Sequence, residues 1–333
     1  MFPEAMMNYA SSAASRVYIL FTSPGSFLSP APLAVAFLIA GLIVALRLRR
    51  RGAEVSIGAV ARALFPAHVI KHPSARHDLW IILINEGLLY FLPAIGAIAV
   101  GVMRSPIIEI TGTGAAMATA PTGNIAMLIL FGVYYTLVWD FFATYAHYLK
   151  HKLPILWEFH KVHHCAEVLT PLTAMRRHPV EIVISGIITG GGIALALILW
   201  VWIFGAPGTT LEIAGVAAGI YAWRFFGYNI RHTHVWISYG PFWNKILMSP
   251  AHHQLHHSRE SRHYDCNFGH IFSFWDRMFG TLYQPREGES FEFGIENAEN
   301  EELRTLPALY IRPFQKAAAR FLPARAPRPQ AAE

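Results

Sequence analysis

The chain has 333 residues, of which 54% are hydrophobic and only 14% are charged, whereas about 25% of the residues in a typical soluble domain are charged. This composition argues against two ordinary soluble domains and against a disordered chain. The formal net charge of +6 needs a surface that faces anionic lipid headgroups or an acidic partner, and two cysteines are too few for a disulfide framework.

Five apolar stretches are each long enough to cross a bilayer as a helix, which takes about 20 residues. In chain order they are Leu28–Leu46, Leu79–Val102, Asn124–Tyr145, Val180–Phe204 and Thr209–Tyr228. Three glycines in a row, Gly190–Gly192, are expected to loosen the fourth span. The predicted fold is an all-α integral membrane protein with four to five transmembrane helices. The alternative is a large soluble protein with several fully buried helices.

The basic residues predict the orientation, because short loops rich in Lys and Arg stay in the cytoplasm. If the five spans alternate, only Arg16 and Arg104 of the 27 basic residues lie on or near the outer side. Every histidine occurs at position 68 or later and is then expected at the cytoplasmic face. The N-terminus has no basic segment before its apolar part, so we expect no cleaved signal peptide. Four arginines directly follow the first span: Arg47, Arg49, Arg50 and Arg51.

The predicted organisation has three parts. Residues 1–27 form an N-terminal interfacial segment, residues 28–285 a membrane domain with a cytosolic cap, and residues 286–333 a cytosolic C-terminal tail. We expect the end of that tail, Pro313–Glu333, to be disordered or to lie on lipid headgroups, because it is rich in Ala, Pro and Arg.

Seventeen histidines are present, and their spacing is typical of metal ligands. The chain contains His-x-x-His-His twice, at 160–164 and 253–257, and His-x-x-x-His at 147–151. With this histidine content about 0.04 copies of His-x-x-His-His are expected by chance. Residues i, i+3 and i+4 share one face of a helix, so each motif can direct its imidazoles at one point. The single motif at 68–72 is close to chance, and we expect His68, His72 and His77 to be structural or interfacial.

Eight such histidines exceed the three or four ligands of a single zinc site, and they imply two metals. Imidazole ligands suit iron, copper or zinc. A non-catalytic histidine-rich metal transporter is the alternative. Transport sites, however, place ionisable residues near the middle of the membrane, whereas both triplets lie outside the predicted spans.

Six segments, in order and spacing, resemble the fatty acid hydroxylase superfamily, which is the sterol desaturase-type group of membrane di-iron oxygenases. The last histidine block is similar to that of alkylglycerol monooxygenases. The resemblance covers about residues 120–285 and departs from the common pattern at Tyr148, where many relatives carry Arg, and at Cys266, where Lys is frequent. The segments are DFFATYAHYLKH (140–151), LWEFHKVHH (156–164), RHPVE (177–181), SPAHHQLHHS (249–258), DCNFG (265–269) and WDRMFGT (275–281).

The resemblance implies O2-dependent oxidation of a lipid at two irons in a cytosolic cap. The sequence shows no second module that could hold haem, flavin or nicotinamide, so we expect electrons from a separate carrier, such as a ferredoxin or a cytochrome b5-like protein. Hydroxylation is favoured over desaturation, no nucleic acid partner is expected, and the lipid could be an acyl, sterol-like, ether or amino lipid. The implied metal ligands are His147, His151, His160, His163, His164, His253, His256 and His257.

Four further residues are candidates near this site. His232 and His234 precede the last triplet by about twenty residues, as an additional ligand does in several relatives. His178 could bind metal or orient a ligand, or it could be an interfacial helix cap. Asp140 lies seven residues before His147, two turns along the same helix face, and we hypothesise a hydrogen bond from Asp140 towards a ligand histidine. The alternative for Asp140 is ordinary interhelical bonding.

Overall fold

A computed structural model describes residues 14–23, 26–88, 125–205 and 218–321. These residues form helices and irregular segments with two isolated β-bridges and no strands. Residues 14–22 are helical. The longer helices that follow are α1 (Pro30–Arg50), α2 (Ile57–Leu64), α3 (Pro73–Leu88), α4 (Ile125–Lys152), α5 (Pro154–His164), α6 (Pro179–Phe204), α7 (Pro250–His256) and α8 (Leu306–Ala319).

Shorter helical pieces connect these helices. A 3-10 turn at Pro171–Met175 lies between α5 and α6, and Ala218–Trp223 continues through a π-helical turn, Arg224–Tyr228, into Asn229–Arg231. The remaining pieces are Ala67–Ile70, Gly240–Trp243, Ser261–His263, Phe274–Phe279 and Asn297–Glu302.

Three helices are long and apolar enough to cross a membrane: α1, α4 and α6. They coincide with the first, third and fourth predicted spans, which supports an integral membrane protein. The second predicted span begins within α3, and the fifth ends within the helical stretch after Ala218; the rest of both spans lies outside the described residues. Most side chains of the three helices are not buried by protein, as expected for helices that face lipid.

The contact between α4 and α6 depends on Gly192. A Cβ atom at this position would lie 2.2 Å from Cγ of Phe142 on α4, so only a glycine lets the two helices approach this closely. The prediction that the glycine run loosens the helix is wrong, because α6 is continuous from Pro179 to Phe204. The helical hydrogen bonds are retained, and the absence of a side chain at Gly192 lets α6 pack closely against α4.

The polypeptide beyond the membrane helices packs onto them at one end. The C-terminal half of α1 buries Ala40 and Val44 against Val235 and Ile237.

Helix α4 ends at Lys152, and α5 begins at Pro154. Proline favours the first turn of a helix, where its missing N–H costs no bond, and α1, α5, α6, α7 and α8 all have one there.

The C-terminal segment is packed against the body of the protein. Ile295, Leu303 and Leu309 share a buried cluster with Ile81 and Val162. The prediction of disorder is wrong for residues 313–319, which belong to α8. Three residues of α8 four apart, at 309, 313 and 317, form its buried face, and that apolar stripe holds the helix in place.

Candidate metal centre

Nine histidines from four segments meet at the C-terminal end of α4. Helix α4 contributes two from its last two turns, α5 three from its last two turns, α7 with its C-cap three, and the irregular chain after Arg231 one. Each of the nine residues is at most partly exposed, and eight are buried. They separate into two groups.

The first group has five members. All of their candidate ligand atoms lie within 4.8 Å of one another. Nε2 of His147 lies 3.1 Å from Nε2 of His160 and 3.0 Å from Nε2 of His256, and Nε2 of His160 lies 3.2 Å from Nε2 of His164. The members are His147, His151, His160, His164 and His256.

The second group has four members, also within 4.8 Å of one another. Nε2 of His253 lies 2.8 Å from Nε2 of His232 and 3.1 Å from Nε2 of His257. Nε2 of His163 lies 3.3 Å from Nε2 of His232. The members are His163, His232, His253 and His257.

Helix geometry explains how each triplet divides. Residues i and i+4 are about 40° apart around a helix, whereas adjacent residues are about 100° apart. His160 and His164 therefore face the first group, while His163 turns to the second. On α7 the assignment is reversed, with His253 and His257 in the second group and His256 in the first. Each triplet thus contributes to both groups.

The outer nitrogens of several rings are fixed by backbone carbonyls. Nδ1 of His147 lies 2.8 Å from the Phe268 carbonyl oxygen, and Nδ1 of His256 lies 2.7 Å from that of Cys266. A carbonyl only accepts, so each Nδ1 carries the proton and each Nε2 presents a lone pair. The Nε2 atoms of His147 and His256 then face each other at 3.0 Å without a hydrogen between them. Two opposed lone pairs repel, and a bound cation would relieve this repulsion, so the donor set fits a metal.

Two carboxylates support the first group. Oε1 of Glu181 lies 3.1 Å from Nδ1 of His160, and Oδ1 of Asp265 lies 3.6 Å from Nδ1 of His151. Glu181 also accepts hydrogen bonds from Lys150 at 2.8 Å and from Arg177 at 3.0 Å. Carboxylates behind ligand histidines fix the orientation and the tautomer of the ring.

Burial keeps these histidines neutral. It lowers the pKa of six of them well below the usual value, with further lowering from neighbouring positive groups, and it lowers the pKa of His257 to about 3. A metal binds the unprotonated ring, so the sites are ready for metal at neutral pH. The six are His160, His163, His164, His232, His253 and His256.

Asp140 acts on a loop. Its carboxylate accepts hydrogen bonds from the backbone N–H of Ile271 at 2.8 Å, from the N–H of Phe272 at 3.0 Å and from Nε1 of Trp275 at 3.0 Å. The same loop carries the Phe268 carbonyl that holds His147. Asp140 is therefore connected to a group histidine through the loop, and not by the direct hydrogen bond that we hypothesised.

Two of the predicted site histidines lie outside both groups. Nδ1 of His178 accepts from the N–H of Val180 and caps α6, while its Nε2 lies 3.2 Å from the Tyr310 carbonyl oxygen. Nε2 of His234 lies 2.8 Å from the carbonyl oxygen of Ala63 in α2. Both imidazoles are thus occupied by structural contacts.

Sequence reasoning assigned no role to Glu181, Asp265, Arg231 or His270. Glu181 lies in the RHPVE segment and Asp265 in the DCNFG segment. The signal that could have identified them was the presence of an acid near the histidine motifs. His270 is partly buried, with its ring 5.8 Å from that of His147. Nothing in the spacing of Arg231 or His270 marks either residue.

A polar cavity of about 270 Å³ borders the first group. His151, His164 and His256 form part of its wall, together with Asp265 and Glu299. The cavity leads from the surface of the protein to three potential ligands, so small molecules and protons can reach the first group from that side.

Comparisons with known proteins match the part of the chain that contains this site. The family model "Fatty acid hydroxylase" matches residues 132–281. Human alkylglycerol monooxygenase is 28% identical over 161 residues, which cover 48% of this chain and 32% of that protein. Ornithine lipid hydroxylase OlsE of Rhizobium tropici is 31% identical over 151 residues, 45% of this chain and 41% of that protein. Human cholesterol 25-hydroxylase is 32% identical over 139 residues, 41% of this chain and 45% of that protein.

The matched stretch therefore spans less than half the length of each of these relatives. No solved structure matches the chain. All nine grouped histidines lie inside the matched residues.

Proposed function

We propose that this chain, whose residues 132–281 match the fatty acid hydroxylase family model, is a membrane-bound non-haem di-iron oxygenase that hydroxylates a lipid with O2. The observation that carries the proposal is the pair of histidine groups, in each of which the candidate ligand atoms lie within 4.8 Å of one another, with the Nε2 lone pairs of His147 and His256 facing each other in the first group. The relatives are named for oxidation of an alkylglycerol, an ornithine lipid and a sterol, and they support a lipid substrate.

In this proposal each group holds one iron. The first iron is held by His147, His151, His160, His164 and His256, and the second by His163, His232, His253 and His257. Two bound irons would supply reductive activation of O2 and attack on an unactivated C–H bond. The ligands are neutral imidazoles, and the carboxylates of Glu181 and Asp265 lie one contact further out.

The chain's own residues hold the ligands in place. The Phe268 and Cys266 carbonyls fix two rings of the first group, and the Arg176 carbonyl oxygen lies 3.2 Å from Nδ1 of His163 in the second. Asp140 and Asp276 hold the loop that carries Phe268: Asp276 accepts from the N–H of Phe268 and from that of Gly269, both at 2.7 Å. Rigid support of this kind keeps the metal positions fixed while a substrate carbon is brought beside them.

Apolar cavities support delivery of the substrate from the bilayer. One of about 450 Å³ and one of about 320 Å³ each have α1 in their wall. The larger cavity borders Thr233 and the smaller one borders Arg231, and these two residues flank His232 in the chain. A hydrocarbon chain entering beside α1 would therefore arrive next to the second group.

The histidine groups are proposed to lie on the cytoplasmic side. Arg47, Arg50 and Arg51 at the end of α1 share a cavity wall with Ile237 and Ser238 of the histidine-bearing region. The arginine cluster and the metal ligands thus occupy the same end of the membrane helices, and the positive-inside rule assigns that end to the cytoplasm. Electrons would come from a separate carrier such as a ferredoxin or a cytochrome b5-like protein, which the basic face would attract.

A metal transporter is the second class of function that the histidines raise. The two α4 ligands, His147 and His151, lie in the last two turns of a 28-residue helix, whereas transport sites lie near the middle of the membrane. Position in the helix therefore favours the oxygenase.

The test combines metal analysis with lipid turnover by the purified full-length protein. About two irons per chain, and O2 uptake that depends on added lipid and gives a product heavier by one oxygen atom, would support the proposal. A product lighter by two hydrogen atoms would identify a desaturase. Metal that exchanges freely and crosses vesicle membranes, with no lipid-dependent O2 uptake, would overturn the proposal in favour of transport.

A further inference from the structure

Arg231 is a buried cation without a carboxylate partner among the described residues. Its side chain is 5% exposed. Its Nη1 donates to the His270 carbonyl oxygen over a long 3.4 Å, and its Nε has no hydrogen-bond partner in the described ranges of the chain. An uncompensated buried charge costs several kcal/mol, so buried arginines are normally paired.

Two acids, Asp140 and Asp276, act on Arg231 electrostatically. However, Asp140 accepts from the N–H groups of Ile271 and Phe272, and Asp276 from those of Phe268 and Gly269. Neither forms a salt bridge with the guanidinium in the part of the chain that the structure describes.

Arg231 lines the apolar cavity of about 320 Å³. Ile39, which lies near the middle of α1, forms another part of its wall, together with Trp223, Met248 and His270. Phe226 and Tyr239 also line the cavity and are exposed. Exposed aromatic side chains are typical of the membrane interface. The cavity thus combines a hydrocarbon-like wall, one unpaired cation and an opening towards lipid.

The helical stretch that carries Arg231 contains a π-helical turn. The π-helical turn Arg224–Tyr228 ends three residues before Arg231, and π-turns within helices occur often at functional sites. Arg231 also directly precedes His232 of the second group, so whatever binds the guanidinium lies beside the proposed metals.

We propose that this cavity binds a lipid through an oxyanion, a carboxylate or a phosphate, that pairs with Arg231 while the hydrocarbon chain occupies the apolar wall. The guanidinium presents several N–H donors in one plane and suits both oxyanions. The assignment rests on the proposed function in so far as the bound lipid is the substrate. It names an anionic lipid, rather than a neutral one, as the class that the site accepts.

The test is a binding titration that needs neither turnover nor iron. Laurate, dodecyl phosphate and dodecanol are titrated into metal-free, detergent-solubilised full-length protein, with Arg231→Met compared against Arg277→Gln, a change at an exposed arginine. We expect at least one of the two anions to bind tenfold or more tightly than dodecanol to the unmodified protein and to the control. In Arg231→Met that preference should disappear while dodecanol binding is retained. The two anions tell a carboxylate site from a phosphate site.

The unfolding midpoint separates this role from a structural one. Removal of an unpaired buried charge should leave the ligand-free Arg231→Met protein at least as stable as the unmodified protein. Equal affinity of the unmodified protein for both anions and dodecanol, or an anion preference that survives in Arg231→Met, overturns the proposal, and the first of these is decisive even if the variant does not fold. Anion binding by a protein that holds no iron and oxidises no lipid would overturn the proposed function and leave this site standing.

Discussion

Replacement of Asp140 by Asn tests whether the loop behind His147 controls the metal site. The carboxylate accepts three hydrogen bonds, one at Oδ1 from Ile271 and two at Oδ2 from Phe272 and Trp275. An asparagine keeps one acceptor oxygen and turns an NH2 donor towards at least one of these donors. The variant Asp140→Asn therefore loses at least one of the three hydrogen bonds and places its NH2 donor against the N–H donor that made that bond.

The cost follows from that count. A lost hydrogen bond to a charged group is worth about 1.5–3 kcal/mol, and an unsatisfied buried donor costs about 1–3 kcal/mol. We expect a loss of about 2–4 kcal/mol in the free energy of unfolding, concentrated in the loop that carries the Phe268 carbonyl. Because outer contacts to ligand histidines typically change metal affinity by about 10–100-fold, we expect the variant to fold and to bind metal more weakly.

The assay is metal content by mass spectrometry together with denaturant unfolding of the metal-free protein. Glu287→Gln is a matched control, since Glu287 accepts from the indole of Trp236 at 3.2 Å on the exposed surface. The control should keep its metal and its stability. An Asp140→Asn protein with full metal content and full lipid oxidation would refute the link through the loop.

Three further predictions follow from the same contacts. His256→Ala should weaken metal binding in the first group, which keeps four histidines, and leave all four ligands of the second group in place, so the affinity for one of the two metals falls, whereas His234→Ala should keep both affinities; equal losses of affinity in the two variants would contradict the grouping. Gly192→Ala should destabilise the protein by about 1–3 kcal/mol, because the new Cβ would lie 2.2 Å from Phe142. Gly191→Ala should not, because a Cβ there would have no neighbouring atom within 4 Å. Unfolding in detergent measures the stability of both variants. In the metal-free protein the grouped histidines have lowered pKa values, so below about pH 6.5 the unfolded state binds more protons than the folded state. The free energy of unfolding should therefore fall as the pH drops, by about 1.4 kcal/mol per pH unit for each histidine that stays neutral when folded. Unfolding free energies that do not change from about pH 7 to pH 5 would contradict this.

The sequence predicted the features that depend on local periodicity. Three of the five predicted spans coincide with helices of the structure because about twenty apolar residues in a row have few other stable arrangements. The histidine triplets lie at helical spacing on α5 and at the end of α7, as predicted, but each triplet divides its imidazoles between the two groups instead of directing them at one point. These predictions needed no knowledge of which segments meet.

Contacts between distant segments could not be predicted in this way. His232 and His234 were equivalent candidates in the sequence, yet the chain leaves helical geometry after Arg231 and only His232 turns into a group. Asp140 was placed correctly on the face of His147, but its partners come from a loop 131 or more residues away. Residues 313–319 have a composition that suggests disorder, and only the packing of α8 shows their apolar stripe.

The division of each triplet between the two groups has a mechanical consequence. Helix α5 supplies His160 and His164 to the first group and His163 to the second, and α7 with its C-cap supplies one and two in the reverse order. Neither helix can rotate or shift without moving ligands of both groups together. If each group holds one iron, the two helices fix the separation of the metals, and the carbonyls and acids behind the rings hold the helices in register. A di-metal site needs that separation kept constant while substrate enters, and shared helices achieve it more simply than two independent sites.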